Sequence, residues 1–239
     1  MHFPAGDKVV CVIIPCLNEE TPIAEVVREV KAQKVDEVIV VDNGSTDCTA
    51  ERATAAGARL VREPRRGYGR ACAAGVSALR GDTDIVCFLD GDGSDVPDFL
   101  PAIVQPIAED QADFVMGSRT RGRREPGSLT PQQLVAGRLA GLLLRLTYGV
   151  RFTDMSPFRA IAADRLRELG MAETTYGWNL EMQMRAAAAA HCRILEIPVD
   201  HRCRRGGVSK VSGNFAAGLQ AAWKIATTFL RLAMTQRVA

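Results

Sequence analysis

One apolar run ends in a cluster of acids: Ile85-Val86-Cys87-Phe88-Leu89 leads directly into Asp90-Gly91-Asp92-Gly93-Ser94-Asp95. Two carboxylates about 4 Å apart repel by roughly 4 kcal/mol at an effective dielectric near 20, a cost that a bound cation removes. Ligands that are all oxygen suit Mg²⁺ or Mn²⁺, with water and a substrate's phosphates completing the shell. Gly91 and Gly93 let the backbone come close to such a substrate. The same residues also read as a solvated turn with a helix N-cap at Ser94 or Asp95 and Pro97 in the first turn.

Cations gather in two places. Arg119, Arg121, Arg123 and Arg124 share one loop, and Arg202, Arg204, Arg205 and Lys210 surround Gly206 and Gly207 in another. Guanidinium forks match phosphate oxygens, so either loop could hold a diphosphate, although a solvated loop explains Arg121, Arg123 and Arg124 equally well. With 30 Lys+Arg against 28 Asp+Glu, the net charge is only +2, which argues against a nucleic-acid partner. The 7 cysteines are an odd set with no C-x-x-C pair, so a disulfide framework or zinc site is not expected and a reducing, cytoplasmic setting fits. Asp7 and Lys8 stand where a signal peptide would be apolar.

The elements that must position these groups alternate along the chain. Strand-like runs at Val9 to Ile14, Glu37 to Val41, Arg59 to Arg62, Ile85 to Leu89 and Asp113 to Met116 are separated by helix-period stretches near residues 21–33, 47–56, 69–80 and 97–109. That alternation predicts an α/β fold, a mainly parallel central sheet with helices on both faces, and ligands beyond the carboxyl ends of the strands. Leu134 to Tyr148 reads as a further helix, Arg193 to Pro198 as a strand and Asn214 to Met234 as a closing helix. We expect a catalytic domain over residues 1–212, with residues 213–239 an amphipathic helix that belongs to it or makes a membrane or dimer contact. Gly67-x-Gly69 lacks a third glycine and no G-x-x-x-x-G-K-[ST] occurs, which disfavours dinucleotide and P-loop binding.

Taken in order, several segments resemble the family 2 glycosyltransferases of GT-A fold. They are Val12-Ile13-Ile14-Pro15-Cys16-Leu17-Asn18-Glu19, Val40-Val41-Asp42-Asn43-Gly44-Ser45-Thr46-Asp47 and Leu89-Asp90-Gly91-Asp92. Arg66 to Ala71, Met116 to Arg119, Thr153 to Ala160, Tyr176 to Glu181 and Arg204 to Lys210 extend the likeness toward the polyprenol-phosphate mannose and glucose synthases. The resemblance implies a nucleotide-sugar pocket of Pro15, Asn18, Glu19, Asp42, Gly69, Arg70, Gly91 and Arg119. It also implies a D-x-D metal site at Asp90 and Asp92, and an acceptor-phosphate loop using Arg204, Ser209 and Lys210. Ser45 or Thr46 would in addition cap the helix that follows Asp42.

The implied reaction is single-displacement transfer, with inversion, from a nucleotide diphosphate sugar to a polyprenyl phosphate. A phosphomonoester is already ionised near neutral pH and attacks without a strong base, whereas a sugar hydroxyl needs one. Asp154 and Glu181 are the carboxylates available for that task, each equally readable as a structural acceptor. The donor is expected to be UDP-glucose, with GDP-mannose as the alternative. Rival readings are transfer to a soluble hydroxyl acceptor and a non-catalytic nucleotide- or polyanion-binding module. The apolar segments Leu134 to Leu146 and Phe215 to Met234 contain basic residues, which argues against spanning a bilayer and leaves three readings: core, homo-oligomer interface, or peripheral contact at the cytoplasmic membrane face.

Overall fold

Runs of β-branched residues set the sheet. Val10–Cys16 (β1) is buried along its whole length and pairs in parallel with Glu37–Asp42 (β2) on one side and Ile85–Phe88 (β4) on the other. A strand covered on both faces needs continuous apolar sequence, which V-C-V-I-I-P-C supplies. In the computed structural model, which describes residues 6–206, 223, 227–231 and 233, Arg59–Arg62 (β3) joins the β2 edge in parallel. Phe114–Ser118 (β5) and Ile194–Pro198 (β7) form a second parallel pair.

Between those two groups lies a strand that the sequence pattern does not announce. Arg159–Ala162 (β6) runs antiparallel to both β4 and β5, giving a seven-stranded order β3-β2-β1-β4-β6-β5-β7. Four residues, R-A-I-A, are too few to establish a period, so only the pairing on both sides identifies them. The helices Ala163–Leu169 (here α6) and Trp178–Ala188 (α7) were likewise not expected from periodicity.

The earlier helices are Ile23–Ala32 (α1), Thr49–Ala55 (α2), Tyr68–Ser77 (α3), Leu100–Ala108 (α4) and Pro131–Tyr148 (α5). They cover the two sheet faces, and β1 divides its side chains between them. Val10, Val12 and Ile14 pack with Val26, Val30 and Ile103, while Cys11 and Ile13 pack with Phe88, Met116 and Trp178. Each fully buried aliphatic side chain contributes roughly 1.5–3 kcal/mol, so this two-layer core is what holds the strand ends in place.

Helix α5 is well delimited. Thr130 and Gln133 form a reciprocal capping box at its start, and Gly149, in the left-handed conformation, ends it. The described residues of the C-terminal segment are helical. They are tied to the body by Phe229 in the second core layer and by Arg231, whose guanidinium donates to Glu173 at 2.7 Å. Among the described residues, no helix is long and apolar enough to cross a membrane.

Candidate active site

At the carboxyl ends of β1, β2 and β4 the strands open onto a cavity of about 650 Å³. Pro15, Glu19, Asp90, Gly91, Asp92, Arg119 and Arg204 line it, bringing together residues from four separate segments of the chain.

The acidic end of β4 is folded by its own backbone. The Asp90 N–H donates to Asp95 Oδ2 at 3.0 Å, and the Ser94 N–H to Asp92 Oδ1 at 2.9 Å. The expected cap at Ser94 or Asp95 does not form: Val96 occupies the N-cap of the 3-10 turn Pro97–Phe99 without a side-chain bond, because Asp95 is turned back to Asp90. Gly91 is required where it stands, since a Cβ there would lie 2.3 Å from Cys16 Sγ. Burial, then the charges of Asp92 and Asp95, push the Asp90 carboxyl well above the usual carboxylate range.

Asp90 Oδ1 is buried without a hydrogen-bond partner. An orphaned acid oxygen of this kind, two residues from a second carboxylate, fits a hard divalent cation. Among the described residues no cluster of three or more His, Cys, Asp or Glu side chains could hold the ion alone. Asp90 and Asp92 would therefore share it with water and the oxygens of a bound diphosphate, as Mg²⁺ and Mn²⁺ sites commonly do.

Arg119 follows β5 and reaches the cavity under tight control. Its Nε and Nη2 donate to Asp154 Oδ2 and Oδ1 at 2.8 and 2.9 Å, and its backbone N–H also donates to Asp154 at 2.9 Å. Burial works against the Arg119 charge, but Asp154, then Asp95 and Asp90, hold it protonated more firmly than usual. Asp154 is likewise drawn below the usual range by Arg119, against the opposing effect of its own burial. Beneath the pair, Thr153 donates through its N–H and hydroxyl to Glu196 on β7, both at 2.8 Å. Asp154 is thus a holder of Arg119 and not a free base, and it does not line the cavity.

Of the two readings of Glu181, base or structural acceptor, its bonds fit the second. It is 0% exposed, accepts the N–H groups of Ala172 and Glu173, and pairs with Arg185 at 3.0 Å. Its carboxylate is consumed in folding the chain ahead of α7.

Arg204 spans the cavity. Nη2 donates to both oxygens of Glu19 at 2.8 and 2.9 Å, while Nη1 lies 3.8 Å from Asp92 Oδ2. Its neighbours Arg202 and Arg205 are engaged elsewhere, both on Glu29 at 2.8 Å. Ser209 and Lys210, expected to hold an acceptor phosphate, lie outside the described residues. Of the other arginine loop, Arg121 donates to the Glu196 carbonyl at 2.7 Å and does not line the cavity.

Several expected nucleotide contacts sit behind the wall. Asn18 accepts the Thr46 N–H at 2.8 Å, and Asp42 accepts the Ser45 N–H at 2.9 Å, so these two side chains shape the loops that frame the cavity. The cap expected at Ser45 or Thr46 is instead at Cys48, and Asp47 accepts the Thr49 N–H at 3.0 Å. The N–H groups of Gly69 and Arg70 are not free for phosphate, because they donate to the carbonyls of Thr175 and Thr174 at 3.2 and 3.1 Å. A Cβ at Gly69 would lie 2.2 Å from the Glu173 carbonyl oxygen, so that glycine serves a close backbone crossing.

The cavity uses their neighbours: Asn43, Arg66, Gly67, Tyr68 and, from the turn packed on α3, Thr175 and Tyr176. Asn43 donates to the carbonyls of Glu63 and Arg65 at 2.9 Å and accepts the Gly67 N–H at 2.7 Å, stapling the loop after β2 to the β3–α3 connection. An Asn directly after an apolar strand was a readable signal for this role. Thr175 had none, because its place depends on the α3 crossing, whereas Tyr176 opens a segment that carries the family likeness.

These features can be set beside known proteins. The profile of Glycosyl transferase family 2 matches residues 11–169. An uncharacterized glycosyltransferase of Mycobacterium bovis is 38% identical over 225 residues, covering 92% of this chain and 99% of the relative. An undecaprenyl-phosphate mannosyltransferase of Micrococcus luteus is 30% identical over 241 residues, covering 90% of this chain and 96% of that protein. Glucosyl-3-phosphoglycerate synthase of Mycobacterium tuberculosis, crystallised with Mn²⁺, UDP-glucose and phosphoglyceric acid, superposes with a TM-score of 0.75 at 24% identity, over 96% of this chain and 81% of that one. That likeness is one of fold, and it is of the GT-A type. The chain belongs to glycosyltransferase family 2 and is a glycosyltransferase of GT-A fold.

Proposed function

We propose that this glycosyltransferase moves a sugar, with inversion, from a nucleotide diphosphate sugar to a polyprenyl phosphate, using Mg²⁺ or Mn²⁺ at Asp90 and Asp92. The observation that carries the acceptor class is the commitment of the carboxylates. Asp154 is bidentate on Arg119, Glu181 is sealed in backbone bonds, and Glu19 is paired with Arg204. Burial, then Arg119, pulls the His201 imidazole in the cavity wall down to about 4, so it is a weak proton acceptor at neutral pH. A phosphate oxygen needs no such acceptor, whereas a hydroxyl does.

The chain's own groups then align and screen two anions. Arg66, Arg119 and Arg204 present three guanidiniums to one cavity. Arg66 has no hydrogen bond or ion pair among the described residues, leaving its fork available for phosphate. Arg119 is rigid and suited to a fixed donor oxygen, while Arg204, held between Glu19 and Asp92, is placed to meet a second phosphate oxygen without leaving Glu19. When bound, the divalent ion neutralises charge that develops on the departing diphosphate. Gly91 and Pro15 give the close approach that an uncrowded sugar face requires.

The name of the Micrococcus relative supports a lipid phosphate, and the UDP-glucose in the fold neighbour supports a UDP donor. The neighbour's phosphoglyceric acid favours the second reading, a soluble acceptor. Product analysis with radiolabelled UDP-glucose and undecaprenyl phosphate separates the two. An organic-extractable, mild-acid-labile product upholds the proposal, and label transferred only to a water-soluble acceptor overturns it.

A further inference from the structure

Helix α5 carries an apolar stripe that stays exposed among the described residues. Val135, Leu139, Leu142, Leu143 and Leu146 are all among the exposed large hydrophobics, with Leu146 at 74%. Val135, Leu139, Leu142 and Leu146 recur at helical spacing and form one line along the helix, with Leu143 beside it. The opposite face is already used: Gly137, Ala140, Gly141 and Leu144 are buried, and a Cβ at Gly141 would lie 2.2 Å from the Phe152 carbonyl oxygen. Repacking α5 to hide the leucines would require giving up that close contact.

We infer that the α5 stripe docks on the anionic phospholipid surface of a bilayer. Charge selects this occupant. Arg138 and Arg145 are exposed on one flank of the stripe, neither has an ion pair among the described residues, and Pro131–Tyr148 contains no acidic residue. A helix with leucines on one face and arginines at its border sits in the headgroup region, where phosphates meet the guanidiniums. A second copy meeting the stripe would instead bring guanidiniums toward guanidiniums with no carboxylate on the helix to receive them.

The head of α5 adds a functional link. Thr130 and Gln133, its capping pair, line the active-site cavity. Docking the stripe therefore sets the cavity mouth beside the bilayer, within reach of a phosphate carried on a lipid. The inference deepens the lipid-phosphate reading in this respect, but vesicle binding requires neither donor nor acceptor and is measured without them.

The test is flotation of the full chain with vesicles of mixed phosphatidylglycerol and phosphatidylcholine, against vesicles of phosphatidylcholine alone. The wild type is expected to float with the anionic vesicles and much less with the neutral ones. The double variant Leu139→Gln, Leu146→Gln is expected to lose about tenfold or more of that binding, and Arg138→Gln with Arg145→Gln to lose the preference for anionic lipid. Both pairs are exposed, so unchanged melting temperature and unchanged UDP-glucose binding verify that the variants remain folded. Wild-type protein that binds neither vesicle, or a leucine variant that floats like wild type, overturns the inference. A solution dimer that the leucine substitutions dissociate also overturns it, in favour of a second copy. Vesicle binding with only a water-soluble sugar product would sink the acceptor proposal and leave this one standing.

Discussion

Asp154 grips Arg119 through both carboxylate oxygens and the backbone N–H, so a buried guanidinium is delivered to the cavity with its orientation fixed on one side. Removing one partner of such a pair leaves an uncompensated buried charge. Asp154→Asn is therefore expected to lower stability by about 3–5 kcal/mol and to weaken donor binding. Arg119→Lys, which keeps the charge but not the fork, should lose activity with a smaller loss of stability. Urea denaturation beside UDP-glucose titration checks both, and equal losses in the two variants would count against orientation as the function of the pair.

Asp90 and Asp92 predict opposite effects on stability and activity. Without a divalent cation, Asp90→Asn removes a buried acid whose ionisation is opposed by burial and by Asp92 and Asp95, and is expected to stabilise the protein by about 1–4 kcal/mol. The same change, and Asp92→Asn, should reduce transfer by about 10²-fold or more. Thermal melts with and without Mn²⁺ in the presence of UDP provide the readout. The wild type should gain stability from the ion, and each variant should gain less.

Acid stability depends in part on Asp113. Hydrogen bonds from Arg193, whose Nη2 lies 2.9 Å away, hold its carboxyl below the usual range in spite of partial burial. A depressed folded value means that the stabilisation is fully present above the unfolded value near 3.9 and is lost as pH falls through the folded one. Asp113→Asn should thus cost about 1–3 kcal/mol near neutral pH and little in strong acid. Urea midpoints across that range would show the wild-type and variant curves converging on the acid side.

Two glycines of α5 should behave differently on substitution. A Cβ at Gly137 meets nothing nearer than 3.8 Å, whereas at Gly141 it would lie 2.2 Å from the Phe152 carbonyl oxygen. Gly137→Ala is expected to stabilise by about 0.5–1 kcal/mol through helix propensity. Gly141→Ala should destabilise by about 1–3 kcal/mol, because backbone must move. Melting temperatures of the two single variants test whether α5 is seated as described.

The β-branched runs were sufficient to read a mainly parallel α/β sheet, and the order of motifs, through their resemblance to family 2 glycosyltransferases, its GT-A type. Local sequence carries those features because strands, turns and acidic strand ends are short-range patterns. It could not announce β6, whose four residues acquire meaning only from β4 and β5 on either side. Nor could it say that Asp154 and Glu181 spend their charge on Arg119 and on backbone N–H groups, or that Gly69 yields its place in the cavity to Gly67 and Tyr68. Those outcomes depend on which distant groups arrive within hydrogen-bond reach. The same is true of α5, where identical leucines could have faced core or solvent until Gly137 and Gly141 took the inward side.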